Sequence, residues 1–136
     1  MGILNHLIVA DTLWLHRITQ RPAQVASLNE IRLLPKPGVL DQVLVTELGD
    51  WHARRDMLEQ VIESLMKEIN SADLESILFY TSTEGMGANM HLKNILLQFF
   101  NHQTHHRGQI STSLFQAGVD VGVTDLPSMV PNVVDN

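Results

Sequence analysis

The sequence contains no cysteine, and this absence excludes several kinds of protein. A chain without cysteine has no disulfide framework, no thiolate nucleophile and no zinc–thiolate site. Charged residues are also scarce, at 18% of 136 residues, whereas globular domains average about a quarter. A chain with so little charge buries more surface than average, and we therefore expect an oligomer.

A surplus of basic residues is also missing. Nine Lys and Arg face 15 Asp and Glu, which gives a net charge of -6, so neither a nucleic acid nor an anionic membrane is an expected partner. No apolar run approaches the roughly 20 residues that a spanning helix needs. The N-terminus lacks the basic region of a signal peptide. Hydrophobic residues make up 44% of the chain, and we expect one soluble, cytoplasmic domain over residues 1–136.

Apolar residues recur at helical spacing in three segments, which predicts helices over about 3–19, 41–70 and 89–117. The first helix is apolar around most of its circumference, which indicates burial on more than one side. Long crossovers over 20–40 and 71–89 separate the helices, and this arrangement is typical of an all-α bundle.

Local signals refine these boundaries. Asp41 is a plausible N-cap for the second helix, and Gly118 is placed to end the third. Prolines 22, 35 and 37 interrupt the first crossover. Residues 76–83 predict a short strand in the second crossover, and the tail after Gly118 predicts an irregular strap.

Two of the seven histidines lie inside the apolar stripe of the third helix. His102 and His106 are four residues apart and therefore face the same way, as a bidentate metal site requires. The stripe continues on both sides of them through Leu92, Ile95, Leu96, Phe99, Ile110, Leu114 and Ala117. A third histidine, His6, lies on an apolar face of the first helix, whereas His105 is rotated off the stripe.

Burial of three neutral imidazoles needs partners for their ring nitrogens. A metal ion satisfies one nitrogen of each ring, and hydrogen bonds to the backbone, Asn5 or Asn101 offer an alternative that spacing and burial leave equally open. The remaining histidines are expected at the surface: His16, His52 and His91.

The segments around these histidines resemble a known family. Leu4-Asn5-His6-Leu7-Ile8-Val9-Ala10-Asp11 followed by Leu13-Trp14-Leu15 is similar to the second helix of the DinB/YfiT-like family. Phe100-Asn101-His102-Gln103-Thr104-His105-His106-Arg107-Gly108-Gln109 resembles the signature of its fourth helix.

The resemblance implies an up-down-down-up four-helix bundle that commonly dimerises. It also implies a metal site with His6, His102 and His106 as ligands. The family fold opens with a helix before the Asn-His segment, so we expect this first helix to be absent from the chain. Either the true start lies upstream, or a partner chain or the tail takes its place.

Three imidazoles leave open metal positions, which is typical of a catalytic site. Relatives in the wider superfamily transfer or isomerise adducts of low-molecular-weight thiols. We therefore expect a metal-dependent enzyme of thiol S-transferase type, or a hydrolase, that activates a thiol or water against a small electrophilic substrate. Zn²⁺ is favoured, and Ni²⁺ or Fe²⁺ also suit imidazole ligands.

Two other functions remain open. One is a non-catalytic metal-binding dimer with a structural or sensory site, and the other is an interaction module without metal. Supporting roles near the metal or the substrate are assigned to Asn5, Asn101, Gln109 and Arg107. Arg55, on the stripe of the second helix, is expected to extend its charge to solvent or pair with a carboxylate, with substrate anchoring as the alternative.

Overall fold

Three long helices of 17, 21 and 25 residues form the framework of the fold. The computed structural model describes residues 1–21 and 25–133, and Pro22 lies outside them. In chain order the elements are α1 (Gly2–Ile18), a 3₁₀ turn (Ala26–Leu28), α2 (Asn29–Leu33), α3 (Leu48–Glu68), α4 (Ser71–Glu75), β1 (Ile77–Thr81), β2 (Gly87–His91), α5 (Leu92–Gln116) and α6 (Leu126–Met129). The predicted predominance of helix is confirmed. No helix within the described ranges has the length and apolar character needed to cross a bilayer.

Helix α1 is the centre of the fold and packs against α3, α5, α2 and β1. Its apolar side chains are buried on nearly every side, as its sequence predicts, because these elements surround it. The core that results combines all three long helices with smaller elements: Ile8, Leu15, Ile18, Leu28, Ile31, Leu58, Val61, Ile62, Leu65, Leu78, Leu92, Ile95, Leu96 and Phe99.

The second long helix starts later than the sequence predicts. Helix α3 begins at Leu48, and Asp41 is not its N-cap. Glu47, which precedes the helix, has an extended backbone with φ -100° and ψ 142°. The β-branched residues Val43, Val45 and Thr46 disfavour helix in this stretch. Residues 41–47 therefore belong to the first crossover, which also contains α2.

The strand predicted over 76–83 is confirmed as β1. It pairs antiparallel with β2, from Ile77 opposite His91 to Thr81 opposite Gly87. The sequence analysis missed β2 and began the third helix at 89, whereas α5 begins at Leu92. The turn depends on Gly85, whose φ of 83° favours glycine.

Helix α5 ends just before Gly118 as predicted, but its last turns are not buried as predicted. Gly118 has φ 81°, and Val119 N donates to Leu114 O at 2.9 Å, which is a Schellman ending. Leu114 and Ala117 are exposed and Ile110 is half-buried, although the stripe predicts all three as core. The described tail is irregular apart from the four-residue helix α6, as predicted, but its residues are exposed and do not pack as a strap.

Helix direction explains this exposure. His6 lies beside His102 near the start of α1, and Trp14 farther along α1 lines a cavity with Asn94. Helices α1 and α5 are therefore antiparallel. Residues of α5 after Arg107 extend past the first turn of α1, and the buried positions of α5 all lie between Leu92 and Gln103.

A buried ion pair connects the three long helices. Asp11 Oδ2 on α1 accepts hydrogen bonds from Arg55 Nη1 on α3 at 2.6 Å and from Gln103 Nε2 on α5 at 2.9 Å. Burial raises the pKa of the Asp11 carboxyl, while Arg55 acts in the opposite direction. Arg55 thus pairs with carboxylates as expected, because Glu59 also lies 3.0 Å from its Nε.

We expect Asp11→Ala to lower the free energy of unfolding by about 3–5 kcal/mol, because it leaves the Arg55 charge buried without its main partner. Glu59→Ala removes only a half-exposed partner of the same guanidinium and should cost no more than about 1 kcal/mol. Urea unfolding at neutral pH measures both values. Equal losses in the two variants would show that the buried pair is not what joins the helices.

Candidate metal centre

Three imidazole rings from two helices converge at one point. His6 Nε2 lies 3.1 Å from His102 Nε2, which lies 3.2 Å from His106 Nε2. His6 comes from the second turn of α1, and the other two come from successive turns of α5. The three nitrogens lie within 4.8 Å of one another, so the structure brings together the three residues that the sequence singles out.

Two of the rings have an oxygen acceptor beside Nδ1, the nitrogen that does not face the other histidines. His6 Nδ1 lies 3.3 Å from the carbonyl oxygen of Leu40, and His106 Nδ1 lies 2.7 Å from Gln109 Oε1. An oxygen acceptor requires a proton on the Nδ1 that faces it. In the neutral tautomer that donates from Nδ1, each of these two rings turns the lone pair of its Nε2 toward the centre of the cluster.

His102 lies between the other two rings and is the most strongly perturbed. Burial, followed by the neighbouring His106, His6 and His105, lowers the pKa of His102 to about 4. Its ring is therefore neutral at neutral pH. A neutral His102 Nε2 carries at most one proton and can donate it to only one of its two neighbours.

The donor set fits a divalent metal ion. His102 Nε2 has two close nitrogen neighbours, and one proton can form a hydrogen bond to only one of them. A cation at the centre would instead interact with the Nε2 lone pairs of all three rings. Metal–imidazole bonds of about 2.0–2.1 Å in tetrahedral geometry place ligand nitrogens roughly 3.3 Å apart. The observed separations of 3.1 and 3.2 Å are close to that value.

The weaker sequence assignments are placed unequally. Gln109 contacts His106 directly, whereas Asn5 is bonded to the backbone of the first crossover. Asn101 is exposed and lines a separate cavity beside Trp14, and it bonds to none of the three histidines. Arg107 is exposed and its Nη2 donates to Gln103 at 3.3 Å, away from the cluster.

His105 contacts the cluster only from outside. It is exposed, and its ring packs edge-on against His106 with centroids 4.9 Å apart. Its position agrees with the helical-face argument that separated it from the other two histidines of α5.

Sequence reasoning missed several residues that shape the site. The Leu40 carbonyl has no sequence signal, because any residue supplies one. Trp51 Nε1 donates to Leu4 O at 2.8 Å and fixes the first turn of α1. Gln103 did have a signal, since a polar residue follows Phe99 by four positions on the buried stripe.

A cavity of about 450 Å³ adjoins the cluster at His6. Its walls come from the start of α1 and from the first crossover: Met1, Gly2, Asn5, His6, Leu40, Asp41, Gln42, Val43, Val45 and Thr46. Of the three histidines only His6 lines it, so a molecule in this space would approach the cluster from the α1 side.

Comparison with known protein families gives one match, to the DinB family over residues 1–131. The chain belongs to the DinB family. The resemblance noted around Asn5-His6 and His102–Gln109 is therefore confirmed across nearly the whole chain. Searches of curated proteins and of solved structures give no match.

We expect Gln109→Ala to weaken metal binding by about 10–100-fold, because His106 loses the acceptor that orients its ring. Gln98→Ala is the matched control, since Gln98 is an exposed glutamine one turn before His102 that lines the cavity beside Trp14 instead of orienting a histidine ring. Competition titrations with Zn²⁺ and a chromophoric chelator measure both affinities. If the two variants bind alike, Gln109 does not orient the ligand.

Proposed function

We propose that this DinB-family protein is a metal-dependent enzyme that activates a low-molecular-weight thiol or water for attack on a small electrophilic substrate. The observation that carries the proposal is the convergence of three imidazole nitrogens from α1 and α5. Zn²⁺ is the favoured ion, and Ni²⁺ and Fe²⁺ are alternatives with the same ligand preference.

His6, His102 and His106 would hold the ion, and Leu40 and Gln109 would orient two of the rings. When bound, such an ion lowers the pKa of a thiol or a water molecule toward neutrality. Three protein ligands favour catalysis over a purely structural role, because closed structural sites use four. The 450 Å³ cavity beside His6 is the candidate approach for the substrate.

The family resemblance extends this proposal to the architecture. We infer that α1, α3 and α5 correspond to the second, third and fourth helices of the up-down-down-up bundle. The antiparallel contact between α1 and α5 supports this correspondence, since it brings the Asn-His segment of one helix to the paired histidines of the other.

Metal content tests the site first. We expect near-stoichiometric metal in untagged wild-type protein, and its loss in His6→Ala, His102→Ala and His106→Ala. His105→Ala is the control and should retain the metal, because its ring lies outside the cluster. Elemental analysis after dialysis gives the result. Equal losses in all four variants, or no metal in the wild type, would contradict the proposal.

Activity separates the enzyme from its main alternative. Metal-loaded protein should accelerate transfer of a low-molecular-weight thiol to an activated electrophile, and His102→Ala should not. Metal binding without turnover across a panel of thiols and electrophiles would instead favour a non-catalytic metal-binding protein.

A specific observation supports self-association in either case. The end of α5 and the tail expose many apolar side chains: Leu114, Phe115, Val119, Val121, Val123, Leu126, Met129 and Val130. Exposed apolar side chains that form one patch are typical of an interface. We propose that two copies of the chain associate through it.

We expect Phe115→Asp to shift the protein from dimer to monomer in sedimentation velocity. The control is Phe79→Asp, which changes a similarly exposed phenylalanine on β1, outside the proposed surface. A monomeric wild type, or dissociation by both variants, would contradict this surface.

A further inference from the structure

Asn5 is buried beside the metal centre, but its side chain hydrogen-bonds to the first crossover and not to the histidines. Its side chain is 4% exposed, and three hydrogen bonds connect it to the first crossover. Oδ1 accepts from the backbone N–H groups of Leu44 at 2.9 Å and Val45 at 3.1 Å. Nδ2 donates to the carbonyl oxygen of Val45 at 2.8 Å. One side chain of α1 thus fixes two consecutive residues of a segment about 40 positions away.

The segment that Asn5 holds also supplies a partner to the metal centre. The Leu40 carbonyl faces His6 Nδ1, four residues before Leu44. Because only three residues separate Leu40 from Leu44, a shift of Leu44 and Val45 would also move the Leu40 carbonyl. The segment contains no helix or strand, and Leu40 and Val43 are exposed. Leu40 lies in a turn in which Gln42 N donates to Val39 O at 3.4 Å, and the residues that Asn5 holds follow this turn directly.

We propose that Asn5 is a positioning residue for the metal centre, a role that rests on the proposed function. By fixing Leu44 and Val45, Asn5 holds the Leu40 carbonyl against His6. The carbonyl keeps the His6 proton on Nδ1, and the lone pair of Nε2 then faces His102. Asn5 therefore acts on the tautomer of His6, the next residue in the sequence, through residues 40–45 of the first crossover.

The same contacts shape the cavity beside His6. Residues 40–43 form one wall, and Asn5 lies in the cavity lining together with Val45. Loss of the three hydrogen bonds would therefore free residues 40–43, which form the cavity wall, as well as the His6 ring.

Two substitutions test the role in a graded way. Asn5→Leu has a similar size and removes all three hydrogen bonds. Asn5→Asp keeps both acceptor contacts but places a carboxylate oxygen, instead of the donor, against the Val45 carbonyl. We expect Co²⁺ affinity to fall by about 10–100-fold in Asn5→Leu and by less in Asn5→Asp. Competition with a chelator, followed through the Co²⁺ absorption bands, measures the affinities.

Two controls separate positioning from general destabilisation. Asn101→Leu changes the exposed asparagine that precedes His102 on α5, and it should leave Co²⁺ affinity unchanged. Val61→Ala removes core packing on α3, where Val61 lines a cavity with Ala26 and Glu30 rather than with residues 40–45, so it should lower the melting temperature without changing Co²⁺ affinity. If Val61→Ala weakens Co²⁺ binding as much as Asn5→Leu does, Asn5 acts only on stability and the proposal is wrong.

Nitrogen-15 chemical shifts of metal-free protein give a readout that needs no metal. We expect the His6 ring to carry its proton on Nδ1 in wild type and to become a tautomer mixture in Asn5→Leu and, to a smaller extent, in Asn5→Asp. Unchanged His6 shifts in a folded variant would overturn the positioning role. Wild-type protein that shows the Nδ1 tautomer and binds no Co²⁺ would overturn the proposed function and, with it, the role of Asn5 at a metal centre.

Discussion

The buried carboxylate of Asp11 determines how the three long helices meet. Its Oδ2 atom accepts from Arg55 of α3 and Gln103 of α5, so a single oxygen on α1 has partners on both neighbouring helices. Apolar packing tolerates small rotations, whereas a buried charge that loses its partner costs several kcal/mol. Gln103 follows His102 directly in sequence. A rotation of α5 that moved Gln103 away from Asp11 would also turn His102 and His106 away from His6.

The three-histidine cluster is thus the product of two levels of constraint. The Asp11 contacts fix the rotation of the helices that carry these histidines. The Leu40 carbonyl and Gln109 Oε1 then accept hydrogen bonds from Nδ1 of His6 and His106 and orient these two rings. His102 differs from the other two, since its Nδ1 is buried with no hydrogen-bond partner among the described residues. Packing within α5 therefore holds this ring, and burial keeps it neutral.

The first crossover has more influence on the site than its lack of regular structure suggests. Residues 40–45 supply the carbonyl that faces His6, the backbone groups that Asn5 holds and part of the cavity wall. Long connections in a compact domain usually have a function of this kind. The extended course of this segment also explains the late start of α3, because the backbone groups that bond to Asn5 are not free to join a helix.

Local sequence determined the features that depend on periodicity. The apolar circumference of α1, the placement of His102 and His106 on one face of α5, the strand β1 and the glycine ending at Gly118 all follow from spacing or backbone preference. Only the tertiary structure decided the features that depend on partners distant in sequence. Asp41 resembles a helix cap in its local sequence, but α3 begins only at Leu48. The Leu40 carbonyl is the same chemical group as every other backbone carbonyl, so only the fold shows that it faces His6. Leu114 lies on the predicted stripe, but the stripe cannot show that α5 extends past the first turn of α1. Hydrophobic spacing specifies which face of a helix can be buried, and the length and direction of the packed neighbours decide how much of that face is buried.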